Sequence, residues 1–131
     1  HLLLFIFLLC KIRKAEEEFT NSRIVGGSAS SLGQFPFQVS KKIIFSQGQG
    51  VCGGSLLNNR RVLTAAHCWW DGRNQATSVT VILGSILLFS GGTRLTTSNV
   101  VMHGSWSPSL IRNDIAIIQL PSSVSFPIIY K

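Results

Sequence analysis

Six short β-type runs set the tightest limit on what this chain can fold into. They are Phe37–Ile44, Val51–Leu57, Arg61–Thr64, Val79–Leu83, Arg94–Val101 and Ile115–Leu120. Gly-, Asn- and Asp-bearing turn signals separate them, at Gln47-Gly48-Gln49-Gly50, Asn58-Asn59, Asp71-Gly72, Ser90-Gly91-Gly92 and His103-Gly104. Helical periodicity is absent, apart from one turn expected at Ala65–Cys68. Strands of this length and spacing predict an all-β domain, either a closed barrel or a sandwich. There is no internal repeat and no low-complexity tract. At 131 residues, with 45% hydrophobic and 13% charged residues, the chain is long enough for one modest core and too apolar for disorder.

Both ends read as interrupted. His1 is no initiator, and Leu2-Leu3-Leu4-Phe5-Ile6-Phe7-Leu8-Leu9 opens at full hydrophobicity. The run suits the core of a secretory signal whose basic front is missing. Lys11 interrupts it well short of the ~20 apolar residues that span a bilayer. The expected organisation is a truncated signal over residues 1–15 and a charged connector over 16–23. A β domain follows over 24–120, and 121–131 begin a further linker. A secreted protein without stable membrane association follows.

The net charge of +7 is scattered rather than patterned. Past Arg23, basic residues fall at Lys41-Lys42 and Arg60-Arg61, then singly, with no interleaved aromatic platform. We read them as a basic surface and not as a nucleic-acid site. The shortage of acid is more informative. After Glu18 the only carboxylate side chains are Asp71 and Asp114.

Cys52 and Cys68 stand sixteen positions apart, and Cys10 belongs to the leader. A pair in a secreted domain reads as a disulfide, worth roughly 3 kcal/mol for a loop of about 15 residues in the chain-entropy model. No second Cys/His pair is placed to complete a zinc site, which needs about four ligands. His67 precedes Cys68 directly and follows two small residues in Leu63-Thr64-Ala65-Ala66-His67-Cys68. A lone histidine in an apolar run is more often structural. Here the cysteine fixes the backbone and the alanines leave room, which suits a general base. Asp114 opens the apolar run Ile115-Ala116-Ile117-Ile118. A carboxylate buried there needs a partner, and an imidazole N–H is a natural one. Asp71, before Gly72, is the better turn former, and His103 reads as a surface or turn residue.

Arg23-Ile24-Val25-Gly26-Gly27, Cys52-Gly53-Gly54-Ser55-Leu56, Thr64-Ala65-Ala66-His67-Cys68 and Asn113-Asp114-Ile115-Ala116 together resemble the chymotrypsin/trypsin family of serine endopeptidases. Each fragment alone is weak; four in family order across Arg23 to Leu120 are specific. The wider texture, including Leu32-Gly33-Gln34-Phe35-Pro36, is similar to digestive chymotrypsin-like enzymes of insects. The resemblance implies two Greek-key β-barrels with the active site between them, of which this chain holds the first.

By resemblance, His67 is the general base and acid, and Asp114 holds its tautomer. Family order places the nucleophilic serine after both, beyond Lys131. The chain on its own is then expected to be inactive. Arg23-Ile24 resembles a zymogen activation site. A trypsin-like protease would cut it, and Gly26-Gly27 would give the new terminus freedom to move. The partners implied are protein or peptide substrates, an activating protease and protease inhibitors, in the extracellular space or gut lumen. No cofactor is expected. Some relatives bind calcium in a loop equivalent to Leu83–Arg94, but that stretch holds no Asp or Glu, so no metal site is expected. The alternative reading is a catalytically inactive homologue that works by binding.

Overall fold

The computed structural model of the chain describes residues 26–125. The leader, the connector, the Arg23-Ile24 pair and residues 126–131 lie outside them. Seven strands form one antiparallel sheet. They are β1 (Gln38–Phe45), β2 (Gly48–Leu56), β3 (Arg61–Thr64), β4 (Ala76–Leu83), β5 (Thr93–Thr97), β6 (Val100–Met102) and β7 (Ala116–Gln119). A single 3₁₀ turn, Ala66–Cys68, follows β3, where the sequence predicts one helical turn.

The order across the sheet is β5-β4-β1-β2-β3-β7-β6. Within it, β4-β1-β2-β3 is the Greek-key arrangement, a fourth strand returning beside the first. The two edge strands, β5 and β6, are consecutive in sequence and separated only by Ser98-Asn99. So short a link brings the edges together, and the sheet therefore curls into a barrel. The all-β barrel is thus the observed fold, and the sandwich is excluded.

Alternation along the strands makes the core. In β1, Val39, Lys41 and Ile43 are buried while their neighbours are not, the period of two that a strand imposes. They meet Cys52 and Leu56 of β2, Val62 of β3, Val79, Val81 and Leu83 of β4, and Ile118 of β7. Each fully buried Val, Ile or Leu contributes about 1.5–3 kcal/mol.

Two local expectations are corrected. The β1–β2 turn is the pair Ser46-Gln47, since Phe45 already pairs with Gly48. Gly48 and Gly50 belong to β2, and a side chain at Gly50 would press on the Phe45 ring at 3.3 Å. The single run expected over Arg94–Val101 is two strands. Ser98 Oγ donates to Thr77 O at 2.9 Å and Asn99 N to Thr97 Oγ1 at 3.0 Å, turning the backbone between them.

Lys41 is the third correction. It is not part of the basic surface but 0% exposed inside the barrel. Its Nζ donates to Thr64 Oγ1, and that hydroxyl donates to Gly53 O at 3.2 Å. Gly54 makes the room, because a Cβ there would stand 3.1 Å from Lys41 Nζ and 2.7 Å from Leu63 O. A pocket of about 10 Å³ adjoins it, bordered by Thr64, Cys68, Trp69 and Val79. Desolvating an ammonium opposes folding. Lys41→Met keeps the stem and removes the amine's desolvation cost, and we expect it to raise stability. Urea unfolding checks this; a lower midpoint would mean that the amine's hydrogen bonds outweigh its desolvation.

Candidate active site

β3 and β7 are antiparallel neighbours with Thr64 paired to Ala116. Residues leaving β3 and residues entering β7 therefore share one end of the barrel. The first group carries His67 and the second Asp114. Ala65 is extended, and Ala65 and Ala66 are both buried, so the chain tucks inward here. Cys68 then points to Cys52 on β2, and the two form a disulfide with Cα atoms 6.3 Å apart. Between that staple and the buried alanines, His67 has little freedom.

Asp114 answers it at two points. The His67 backbone N–H donates to Asp114 Oδ1 at 2.8 Å, and His67 Nδ1 lies 2.6 Å from Oδ2. The carboxylate is 3% exposed and the imidazole 26%. A carboxylate is an acceptor, so the short contact assigns the ring proton to Nδ1 and leaves a lone pair on Nε2. Nε2 stands 3.8 Å from Cys68 Sγ, a sulfur already bonded to Cys52 and without a proton to give.

The loop before Asp114 is shaped by its own bonds. Ser107 and Arg112 exchange backbone hydrogen bonds at 3.0 and 3.2 Å, and Asn113 Nδ2 donates to Ser105 O at 2.9 Å. Asn113 has φ 58° and Ile111 φ 51°. Asparagine tolerates that region; for β-branched isoleucine it costs roughly 1–2 kcal/mol. The side-chain role of Asn113 and the position of Trp106 were not foreseen. The one sequence signal was the tolerance of Asn for left-handed backbone.

The other candidates sit apart. Asp71 Oδ1 accepts the N–H groups of Arg73 and Asn74 at 2.8 and 2.7 Å, closing a turn. The Asn74 N–H is the largest influence on its carboxyl and, with the Arg73 N–H, holds it below the usual aspartate value against the opposing effect of burial. His103 is exposed, with Nδ1 accepting the Ser105 N–H at 3.0 Å. The ligand atoms of Cys52, His67 and Cys68 lie within 4.8 Å of one another, but sulfurs joined in a disulfide are not the thiolates a metal would require. Among the described residues, no helix is long and apolar enough to cross a membrane.

The trypsin family model matches residues 24–128, well over half of the sequence. The chain belongs to the trypsin family. It is 42% identical over 108 residues to serine protease SP24D of Anopheles gambiae, covering 81% of this chain and 38% of that protein. It is 35% identical over 133 residues to trypsin alpha-4 of Lucilia cuprina, covering 95% and 50%. The solved structure of HL collagenase superposes with a TM-score of 0.70 at 32% identity, over 82% of this chain and 45% of that one. The chain thus spans about two fifths to one half of the length of the trypsin-family relatives it matches.

Two measurements check the site. A low-field NMR resonance from the His67 Nδ1 proton is expected in the native chain and should vanish in Asp114→Asn; its persistence there would assign the proton to another acceptor. For Asp71, the depressed folded-state value means that its ionised form stabilises the fold above the unfolded value. That contribution is lost as pH falls through the folded value, below about pH 4. Carboxyl-carbon NMR should show Asp71 titrating in that acid range, and a normal or raised midpoint would refute the turn's grip on it.

Proposed function

We propose that this chain is the histidine- and aspartate-bearing barrel of a secreted serine endopeptidase zymogen. The observation that carries the reading is the two-point bond from His67 to Asp114. It fixes the imidazole tautomer, with Nδ1 as the donor to Asp114 and Nε2 as the nitrogen that takes a proton. In this role Nε2 accepts the proton of a serine hydroxyl as its oxygen attacks a peptide carbonyl, and later returns it to the leaving amine. Asp114 orients the ring and stabilises the imidazolium that forms.

The serine comes from residues outside these 131. Support for this is the family order of histidine, aspartate, then serine, together with the share of the relatives' length that the chain spans. Residues 24–120 are the barrel, 16–23 the activation propeptide and 1–15 part of a secretory signal. Residues 121–131 begin the link to a second barrel. Cleavage between Arg23 and Ile24 by a trypsin-like protease frees the Ile24 amine and converts zymogen to enzyme. The secreted location is supported by the apolar leader and by the Cys52–Cys68 disulfide, a bond suited to oxidising compartments. The partners are protein or peptide substrates, the activating protease and protease inhibitors. Relatives named as trypsins and serine proteases support a peptide substrate.

The test uses the complete protein. After limited trypsin treatment it is expected to hydrolyse peptide substrates and to be labelled by a serine-directed fluorophosphonate. Arg23→Gln should block activation. Asp114→Asn should lower kcat by about 10⁴-fold, the magnitude known for the Ser-His-Asp triad. A folded, correctly cleaved protein that neither labels nor hydrolyses would instead be a non-catalytic homologue acting by binding.

A further inference from the structure

His67 and Asp114 sit on different segments, and something must hold those segments in register. Barrel pairing sets the approach only as far as Thr64 and Ala116. Beyond those residues the chain leaves the sheet on both sides. The turn after His67 spans residues 69–75, and the loop before Asp114 spans 103–113. These two irregular segments touch at two points. The indole N–H of Trp106 donates to Trp70 O at 2.9 Å. Pro108 packs on Gly72, where an added Cβ would fall 2.9 Å from Pro108 Cβ and the backbone φ is +100°.

Followed bond by bond, the contacts make a closed ring. From His67 the chain runs to Trp70, whose own N–H is tied to Ala66 O at 3.0 Å. Trp70 O receives the Trp106 indole. Ser105, next to Trp106, accepts the Asn113 side chain at 2.9 Å. Asn113 leads into Asp114, and Asp114 returns to His67. Apart from the dyad's own bonds, two side-chain hydrogen bonds close this ring, one from Trp106 and one from Asn113.

We propose that Trp106 is a positioning residue, which with Asn113 clasps the loop bearing Asp114 to the turn bearing His67 and so fixes the dyad's geometry. The inference rests on reading His67 and Asp114 as a hydrogen-bonded pair. Trp106 acts through the Trp70 carbonyl. Its role is orientation, and small displacements matter there, since about 1 Å of misplacement can cost 10²-fold in rate.

The experiment follows the low-field His67 Nδ1 proton by NMR in the complete protein that carries this barrel, beside urea unfolding of each variant. Trp106→Phe keeps an aromatic ring and removes the N–H. Asn113→Gly removes the side-chain bond while keeping a residue at ease at positive φ. Each is expected to speed solvent exchange of the Nδ1 proton by about tenfold, a dyad readout that loss of general stability alone does not supply when exchange is measured far below the unfolding midpoint. Gly72→Ala, which drives the two segments apart, should do at least as much. An unchanged resonance and exchange rate in a folded Trp106→Phe, or in Asn113→Gly should Trp106→Phe fail to fold, would overturn the proposal and leave the clasp a purely structural tie. A native chain lacking the resonance would overturn the paired reading of His67 and Asp114 itself.

Discussion

A carboxylate removed from water costs several kcal/mol unless its oxygens are answered, and Asp114 is almost wholly buried. Two donors from one residue, the backbone N–H and the ring of His67, answer its two oxygens. That condition is met only where the end of β3 lies beside the start of β7. Those strands pair over Arg61–Thr64 and Ala116–Gln119, and β7 is flanked on its other side by β6. Ser98-Asn99 carries the chain from the β5 edge to the β6 edge, and β6 then receives β7 along Val100–Met102. A local electrostatic requirement at the barrel mouth is thus satisfied by the topology of the whole sheet. The disulfide works on the same end from the opposite side, tying the residue after His67 to β2.

Much of this was legible in the sequence, and the reasons differ by element. β3 was read to the residue because Arg61-Val62-Leu63-Thr64 stands between an Asn pair and two alanines. The Cys52–Cys68 pair left no competing partner in the β domain, so its pairing needed no geometry. His67 and Asp114 were recognisable because each sits in an unusual setting, one beside a cysteine and the other opening an apolar strand. The break at Ser98-Asn99 was hidden, since Arg94–Val101 alternates well enough for one strand. Hydroxyl bonds to Thr77 and from Asn99, with a backbone bond from Val100 N–H to Ser98 O, bend it.

Lys41 was misread for a reason that period-two alternation makes plain. In a strand, adjacent residues face opposite ways, so Lys41-Lys42 in β1 must send one amine inward. Register decides which. Val39 and Ile43 share the face of Lys41, and a slip by one residue would exchange them for Ser40, Lys42 and Ile44. Either register buries one ammonium and one isoleucine, so Val39 in place of Ser40 decides the choice, and the interior adjusts around the amine. Gly54 clears the space, and Thr64 accepts the amine's hydrogen bond. Thr64 is also the last β3 residue before the turn that bears His67. A polar contact inside the barrel thereby braces the strand end from which the site departs.

The barrel and the loops divide the work of placing two side chains. Strand pairing sets a distance, because the hydrogen-bond ladder admits only one register for Thr64 opposite Ala116. It does not set an orientation, since neither His67 nor Asp114 lies within a strand. Orientation falls to segments that carry unfavourable backbone, with Ile111 and Asn113 both left-handed. Such geometry persists only where the surroundings over-determine it, and here they do. Ser107 and Arg112 close the loop on itself, Asn113 ties its base to Ser105, and Trp106 with Pro108 rests on the neighbouring turn. The strain beside Asp114 is therefore held in place by the same contacts that aim the carboxylate at the imidazole.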